Sequence, residues 1–402
     1  MPEISAFSLL ALFGITIVIG YIGSLIFHKT RVPDIVWLVL FGILVGPVFN
    51  LVDRSIFLFI TPFLAALALL IILFDAGLNM DFYEMVRGFS RSIILAVLGV
   101  AIEAVAVGAF LYFYLGWPLL PSLLLGVMVG GTSSPIVVSL AGRMKISRNV
   151  RTVINLESIF TDPLVVVVSI AIINIMIQSN SQYSALSGVL SAFSIGAVIG
   201  LFAGIAWLFA LNKLKGKPFD YMLTLAVLFL LYAFVESVSG SGAIAALFFG
   251  LVLGNGTAFS RMLKFEKRLG TPNLMKHFQA EISFFIRSFF FVYMGLIFYY
   301  NESIAIYGVA IALILIMVRL ILVEVSSFGM ALSSYEKNIM RVMVPRGLAA
   351  AVLAQLPKAY GLPNADFYAN AIFVVILATV LYTSVATALL SRKANPGKRA
   401  EK

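Results

Sequence analysis

The chain has no cysteine and only two histidines, His28 and His277, among its 402 residues. The first absence excludes disulfides, thiolate metal centres and thiol catalysis. The second excludes a histidine cluster that would hold zinc or relay protons. Charge is scarce as well. Asp, Glu, Lys and Arg make up 11% of the chain, against about 25% in a soluble globular protein. Hydrocarbon takes their place, with 61% of residues hydrophobic and a mean hydropathy of +1.06. Apolar stretches of about 20 residues, the length that crosses a bilayer core, recur throughout.

Thirteen spans are expected, at 5–27, 35–52, 56–80, 91–116, 118–142, 150–178, 184–211, 219–236, 242–260, 279–300, 303–332, 339–357 and 367–391. The fold class is then an all-α polytopic membrane protein. A net charge of +10 would suit nucleic acid, but its placement argues against that partner. Outside the spans, all lysines and arginines fall on one side of the membrane except Arg54 and Lys358. The positive-inside rule puts the N-terminus outside and the C-terminus in the cytoplasm, with a prokaryotic plasma membrane as the expected location. Residues 1–4 lack a basic run, so no cleavable leader is expected. The short loops predict no appended soluble domain. The segment from Asn212 to Pro218 is the expected joint between two halves.

Those halves echo each other. Phe41–Gly46 matches Phe249–Gly254, Gly77-Leu78 matches Gly295-Leu296, and Val127–Val129 matches Val342–Val344, in the same order at offsets between 208 and 218 residues. Spans 1–6 would pair with spans 8–13, and an odd shift inverts one copy relative to the other. Inverted repeats mark secondary transporters whose site lies where helices break. Breaks are expected at Gly130-Gly131-Thr132-Ser133-Ser134-Pro135 in span 5 and Pro345-Arg346-Gly347 in span 12. Glycine costs about 1 kcal/mol and proline about 3 kcal/mol inside a helix.

Span 6 holds the polar residues that most need a reason. A carboxylate within a bilayer costs about 2.5–3.5 kcal/mol on insertion scales, and this span carries both Glu157 and Asp162. Asn155, Ser158 and Asp162 fall on one stripe, at i, i+3 and i+7, while Glu157 and Thr161 fall on another. Pro163 offers no N–H to the carbonyl of Ile159, which becomes a spare ligand. Hard monovalent cations want oxygen donors, and Asp162, Ser158, Thr132 and Ser133 would supply them, with Asp75 as a second acid or a residue reaching the headgroups. Glu157, Glu103 and Glu324 are available to pair with Arg319, Arg287 or Arg346, the usual fate of membrane-buried charge. The stripe of Asp162 itself offers hydroxyls and an amide but no basic side chain. A proton or a cation neutralises such an acid, and both together are disfavoured, which couples two opposite fluxes.

At these residues the chain resembles the cation:proton antiporters, in the branch that holds the NhaP-type sodium/proton antiporters and the animal sodium/proton exchangers. The signature Glu-Ser-x-x-Asn-Asp-Pro is met by Glu157-Ser158-Ile159-Phe160-Thr161-Asp162-Pro163. Val344-Pro345-Arg346-Gly347 and Arg287-Ser288-Phe289-Phe290-Phe291 resemble two further family stretches. The resemblance implies that Asp162 binds ion and proton, with Ser158 and the span-5 backbone near Thr132 as co-ligands and Asp75 as an additional acid. It implies a structural Glu157–Arg319 bridge. It also implies a homodimer with an interface domain from residues 1–90 and 179–300, a core domain from 91–178 and 301–391, and a basic tail at 392–402. No cofactor is implied, because Na⁺, K⁺ or Li⁺ would be cargo, and membrane lipid is the remaining partner. Two positions depart from the family pattern. Thr161 stands where the family has Asn, and Ser133-Ser134-Pro135 stands where it has Thr-Asp-Pro. The adjacent aspartates of electrogenic relatives are absent, which implies one-for-one exchange. A K⁺/H⁺ antiporter is the runner-up. A channel suits inverted repeats less well. An intramembrane hydrolase would need a base that Ser158 and Asp162 lack.

Overall fold

The computed structural model describes residues 6–30, 32–52, 54–81, 91–177, 182–214, 219–262, 273–327 and 332–393. Among the described residues every regular element is helical and none is a strand. The α-helices run, in chain order, α1 (Ala6–Thr30), α2 (Asp34–Ile43), α3 (Arg54–Asn79), α4 (Arg91–Leu115), α5 (Leu119–Met128), α6 (Ser134–Arg143), α7 (Arg148–Ile177), α8 (Gln182–Leu214) and α9 (Asp220–Ser237). They continue with α10 (Gly242–Gly254), α11 (Gly256–Met262), α12 (Asn273–Ile297), α13 (Glu302–Ser326), α14 (Ser334–Val342), α15 (Leu348–Leu353), α16 (Leu356–Ala359) and α17 (Ala365–Lys393). Most of the joint expected at 212–218 and the basic tail at 394–402 lie outside the described residues.

Among the described residues eight helices, α1, α3, α4, α7, α8, α12, α13 and α17, are long and apolar enough to cross a membrane. The protein is an integral membrane protein. Large apolar side chains such as Phe59, Phe113 and Leu10 are exposed on these helices, as a lipid-facing surface requires. The expected spans at 35–52, 118–142, 219–236 and 339–357 hold shorter helices. In the first, α2 passes into a π-helical turn at Leu44–Val48 around Pro47, which has no N–H to give.

The span expected over 242–260 is bent, turning by 81° between α10 and α11. Asn255 sits at the corner between two glycines, and its Nδ2 donates to the carbonyls of Leu251 at 2.9 Å and Met80 at 2.7 Å. The side-chain amide thus takes up the Met80 carbonyl just past the end of α3 and shares the Leu251 carbonyl with the Asn255 N–H.

The described residues form two compact units. One draws on residues 1–65, 91–166 and 287–402, the other on 66–90 and 167–286. The second is built on a core of Phe74, Leu78, Leu208, Leu228, Phe249 and Val252. In the first, α5 lies close on α4, where a Cβ on Gly126 would come within 2.5 Å of the Ala104 carbonyl. Any side chain there would force the pair apart. Close packing holds α5 in place up to its end at Met128, and the chain resumes as a helix at Ser134. A matching gap separates α14, ending at Val342, from α15, starting at Leu348.

Candidate ion-binding site

The polar residues of α7 from Asn155 to Asp162 lie in the first unit, and the helix passes through Pro163 without interruption. Ser158 is fully buried, and its hydroxyl donates to the Asn155 carbonyl at 2.9 Å, leaving its lone pairs for another partner. Asn155 Oδ1 is buried and receives no hydrogen bond among the described residues, so an oxygen is left over for water or a cation.

Asp162 is half-buried, and the Ser134 hydroxyl at the start of α6 hydrogen-bonds its Oδ2. The same hydroxyl lies 3.1 Å from the Ser158 carbonyl. Buried Thr161 ties the helix to the gap between α5 and α6. Its Oγ1 accepts from the Thr132 N–H at 3.2 Å and lies 3.1 Å from the Ser158 carbonyl. Ser133 is fixed from the other side, its N–H donating to the Pro345 carbonyl at 2.8 Å. Gly347 presses on Ser133, since a Cβ there would come within 2.2 Å of Ser133 Oγ. The two non-helical stretches therefore meet beside α7. Carboxylate, hydroxyl and carbonyl oxygens converge there, a donor set suited to a hard cation. Among the described residues no group of three or more His, Cys, Asp and Glu side chains is placed to hold a metal ion.

Buried charge is paired around this cluster. Arg319 is 2% exposed and holds Glu157 through both terminal nitrogens, Nη2 to Oε2 at 3.0 Å, while its Nε donates to the Met340 carbonyl at 3.0 Å. Arg346 is fully buried and donates from Nη2 to Glu103 Oε1 at 2.7 Å. The remaining members of that set, Arg287 and Glu324, are not paired with each other but with other residues. Arg287 donates to Asp34 Oδ2 at 3.1 Å, an acid in the first turn of α2. Glu324 lies in the last turn of α13, where its side chain is 48% exposed and pairs with Lys337 and Arg341. A residue at a helix end reaches the next helix more readily than an arginine in the interior.

Asp162, Ser158, Thr132, Ser133, Thr161, Asn155, Glu157, Arg319, Arg287 and Arg346 all belong to the first unit. Asp75 belongs to the other, where Asn79 Nδ2 donates to its Oδ1 at 3.2 Å. Sequence reasoning named Ser133 as a ligand and passed over Ser134, whose hydroxyl reaches the carboxylate. The signal was its position: a serine opening a helix three residues after a glycine pair, followed by proline, sits where side-chain oxygens face the next element.

Beyond this geometry, the chain is similar in sequence and in fold to cation:proton antiporters of the NhaP type. The family model described as "Sodium/hydrogen exchanger, transmembrane" matches residues 14–393, and the chain belongs to that family, whose members are transporters rather than enzymes. A relative named "Probable Na(+)/H(+) antiporter 2" from Methanocaldococcus jannaschii is 27% identical over 288 residues, 69% of this chain and 66% of that protein. The "K(+)/H(+) antiporter NhaP" of Alkalimonas amylolytica is 25% identical over 252 residues, 60% of this chain and 43% of that protein. The chain thus spans less than two thirds of the length of either relative. The solved structure of the sodium proton antiporter MjNhaP1 from Methanocaldococcus jannaschii matches with a TM-score of 0.77 at 21% identity, over 96% of this chain and 98% of that one. That likeness is one of fold.

Proposed function

We propose that the protein exchanges a monovalent cation, Na⁺ foremost, for H⁺ by alternating access, the two competing for Asp162. The observation that carries this reading is the junction beside α7. The Ser134 hydroxyl joins Asp162 to the gap between α5 and α6, and Ser133 joins that gap to Pro345 between α14 and α15. Unwound backbone at such a crossing leaves carbonyls and helix ends for an ion, as in transporters built on inverted repeats. A carboxylate in a low-dielectric site is neutralised by one monovalent guest at a time. Each guest therefore expels the other, and the exchange is coupled. A single acid at this position favours one-for-one, electroneutral exchange.

The reading rests on thirteen crossings, with inverted six-span repeats broken in spans 5 and 12. Helix ends at Met128 and Val342 support it, since they fall at repeat-equivalent places. It takes the N-terminus as outside, on the placement of basic residues. It takes a homodimer with the interface and core segments the family resemblance implies. Potassium is the second reading, favoured by the printed name of the Alkalimonas amylolytica relative.

The test follows internal pH in proteoliposomes after Na⁺, K⁺ or Li⁺ is added outside. Cation-dependent proton movement is expected in the wild type and is lost in Asp162→Asn. An imposed membrane potential leaves the rate unchanged if exchange is electroneutral. Asp75→Asn is expected to change the half-saturating cation concentration more than the maximal rate. Exchange that survives intact in Asp162→Asn refutes the proposal.

A further inference from the structure

Apart from the Asp162 cluster, the first unit encloses a cavity of about 140 Å³. Its wall includes Asp34, Arg143, Arg287, Ser24, Ser133 and Ser139. Space for one water needs about 10–15 Å³ and at least two polar partners, so this cavity has room for several waters. Ser133 and Pro135 in its wall flank Ser134, whose hydroxyl meets Asp162. Among the described residues, the charged groups facing the cavity are Asp34, Arg143 and Arg287. Arg143 is directed to the wall, donating from Nη1 to the Phe27 carbonyl at 2.8 Å with its guanidinium 4.6 Å from the Phe27 ring centre. Arg287 is held by Asp34 at 3.1 Å, the two side chains being 21% and 11% exposed.

We propose that Asp34 and Arg287 form an electrostatic throttle on this cavity: Asp34 cancels the Arg287 charge and so sets how readily a monovalent cation enters from that side. The inference rests on the exchange reading above and adds a second, non-ligating determinant of apparent cation affinity. Low-dielectric walls focus the field of a few charges into a small wet space, where one unit of charge changes the local cation concentration by about three- to tenfold. Without Asp34 the lining is one unit more positive and the barrier to a cation rises. Without Arg287 it is one unit more negative and the barrier falls. A pair that merely fastened α2 to α12 would respond in the same direction to either loss, whereas a throttle responds in opposite directions.

The experiment uses the full chain in proteoliposomes and measures half-saturating Na⁺ and K⁺ for proton movement at fixed pH. Asp34→Asn is expected to raise the half-saturating concentration by about tenfold, and Arg287→Gln to lower it by about threefold, with little change in maximal rate. The double variant Asp34→Asn/Arg287→Gln keeps a hydrogen-bonding amide pair and is expected within about twofold of wild type; it also decides the matter if a single variant fails to fold. Raising impermeant salt shrinks both single effects, since screening acts on charge and not on packing. Both single variants moving the same way, both leaving half-saturation unchanged, or a double variant displaced as far as Asp34→Asn would overturn the inference while exchange stands. A wild type without cation-dependent proton movement overturns the exchange reading, and this inference with it.

Discussion

Arg319 and Arg346 are the two arginines sealed inside the first unit, at 2% and 0% exposure, and each has one glutamate. Arg319 spends all its nitrogens, two on Glu157 and one on the Met340 carbonyl, and so ties α7, α13 and α14 together. Arg346 gives one bond to Glu103, while its Nε and Nη1 have no hydrogen-bond partner among the described residues. Arg319 sits within a continuous helix, whereas Arg346 lies in the gap between α14 and α15. Two buried pairs of the same chemistry thus differ in how completely they are satisfied. The fully bonded one acts as a strut beside the ion stripe. The singly bonded one sits in the stretch that touches Ser133, its backbone N–H held by Thr379 Oγ1 at 3.1 Å.

This contrast breaks most directly at Arg319. Arg319→Ala strands a buried carboxylate and the Met340 carbonyl, and is expected to cost about 3–5 kcal/mol. The measurement is the melting temperature of purified protein in detergent, and an unchanged value would remove the strut. Glu103→Gln keeps an oxygen for Arg346 and loses one charge-assisted bond, for a smaller loss of about 1.5–3 kcal/mol. If Glu103→Gln lowers melting more than Glu157→Gln does, the ranking of the two pairs is reversed. Gly347→Ala puts a methyl group against Ser133, and overpacking of this type costs about 1–3 kcal/mol. Exchange rate reports it better than melting, because the clash falls between the two gaps. A fully active Gly347→Ala would show that the contact is loose.

The smallest effect lies at the surface, ahead of the expected span at 339–357. Glu336 closes a capping box with Ser333 at the start of α14 and also accepts the Ser147 N–H at 2.9 Å. The Ser147 hydroxyl and N–H, then Ser333, hold its carboxyl down at about 2, from an ordinary 4.5. A lowered folded-state value favours the charged form, so the contribution is complete above about pH 4.5 and is lost as pH falls towards about 2. Solvent screening keeps it under about 1 kcal/mol. Glu336→Gln is expected to melt slightly below wild type at neutral pH and together with it near pH 2. A gap that persists at low pH would contradict the assignment.

Much of this architecture was legible because membrane spans write themselves locally. Twenty apolar residues need no partner to be recognised, and the Asn155, Ser158, Asp162 stripe follows from helical spacing alone. The bridge from Glu157 to Arg319 came through a family motif, since no spacing rule joins residues 162 positions apart. The partners of Arg287 and Arg346 were open for the same reason. Asp34 was hidden because it stands in a connector, ahead of the span expected at 35–52, yet it opens a helix and turns inward. Ser134 was passed over because its role depends on where the chain resumes its helix after two glycines, and boundaries are the least readable part of a sequence. The bend at Asn255 depends on the Met80 carbonyl, which lies 175 residues away.

The half-saturating Na⁺ concentration for exchange, measured in proteoliposomes from about pH 6 to about pH 9, tests the central claim that one carboxyl serves both guests. Rivalry at Asp162 predicts a rise of up to about tenfold for each unit the pH is lowered below that group's titration. A value that stays flat across the whole range would mean that metal ion and proton occupy separate places.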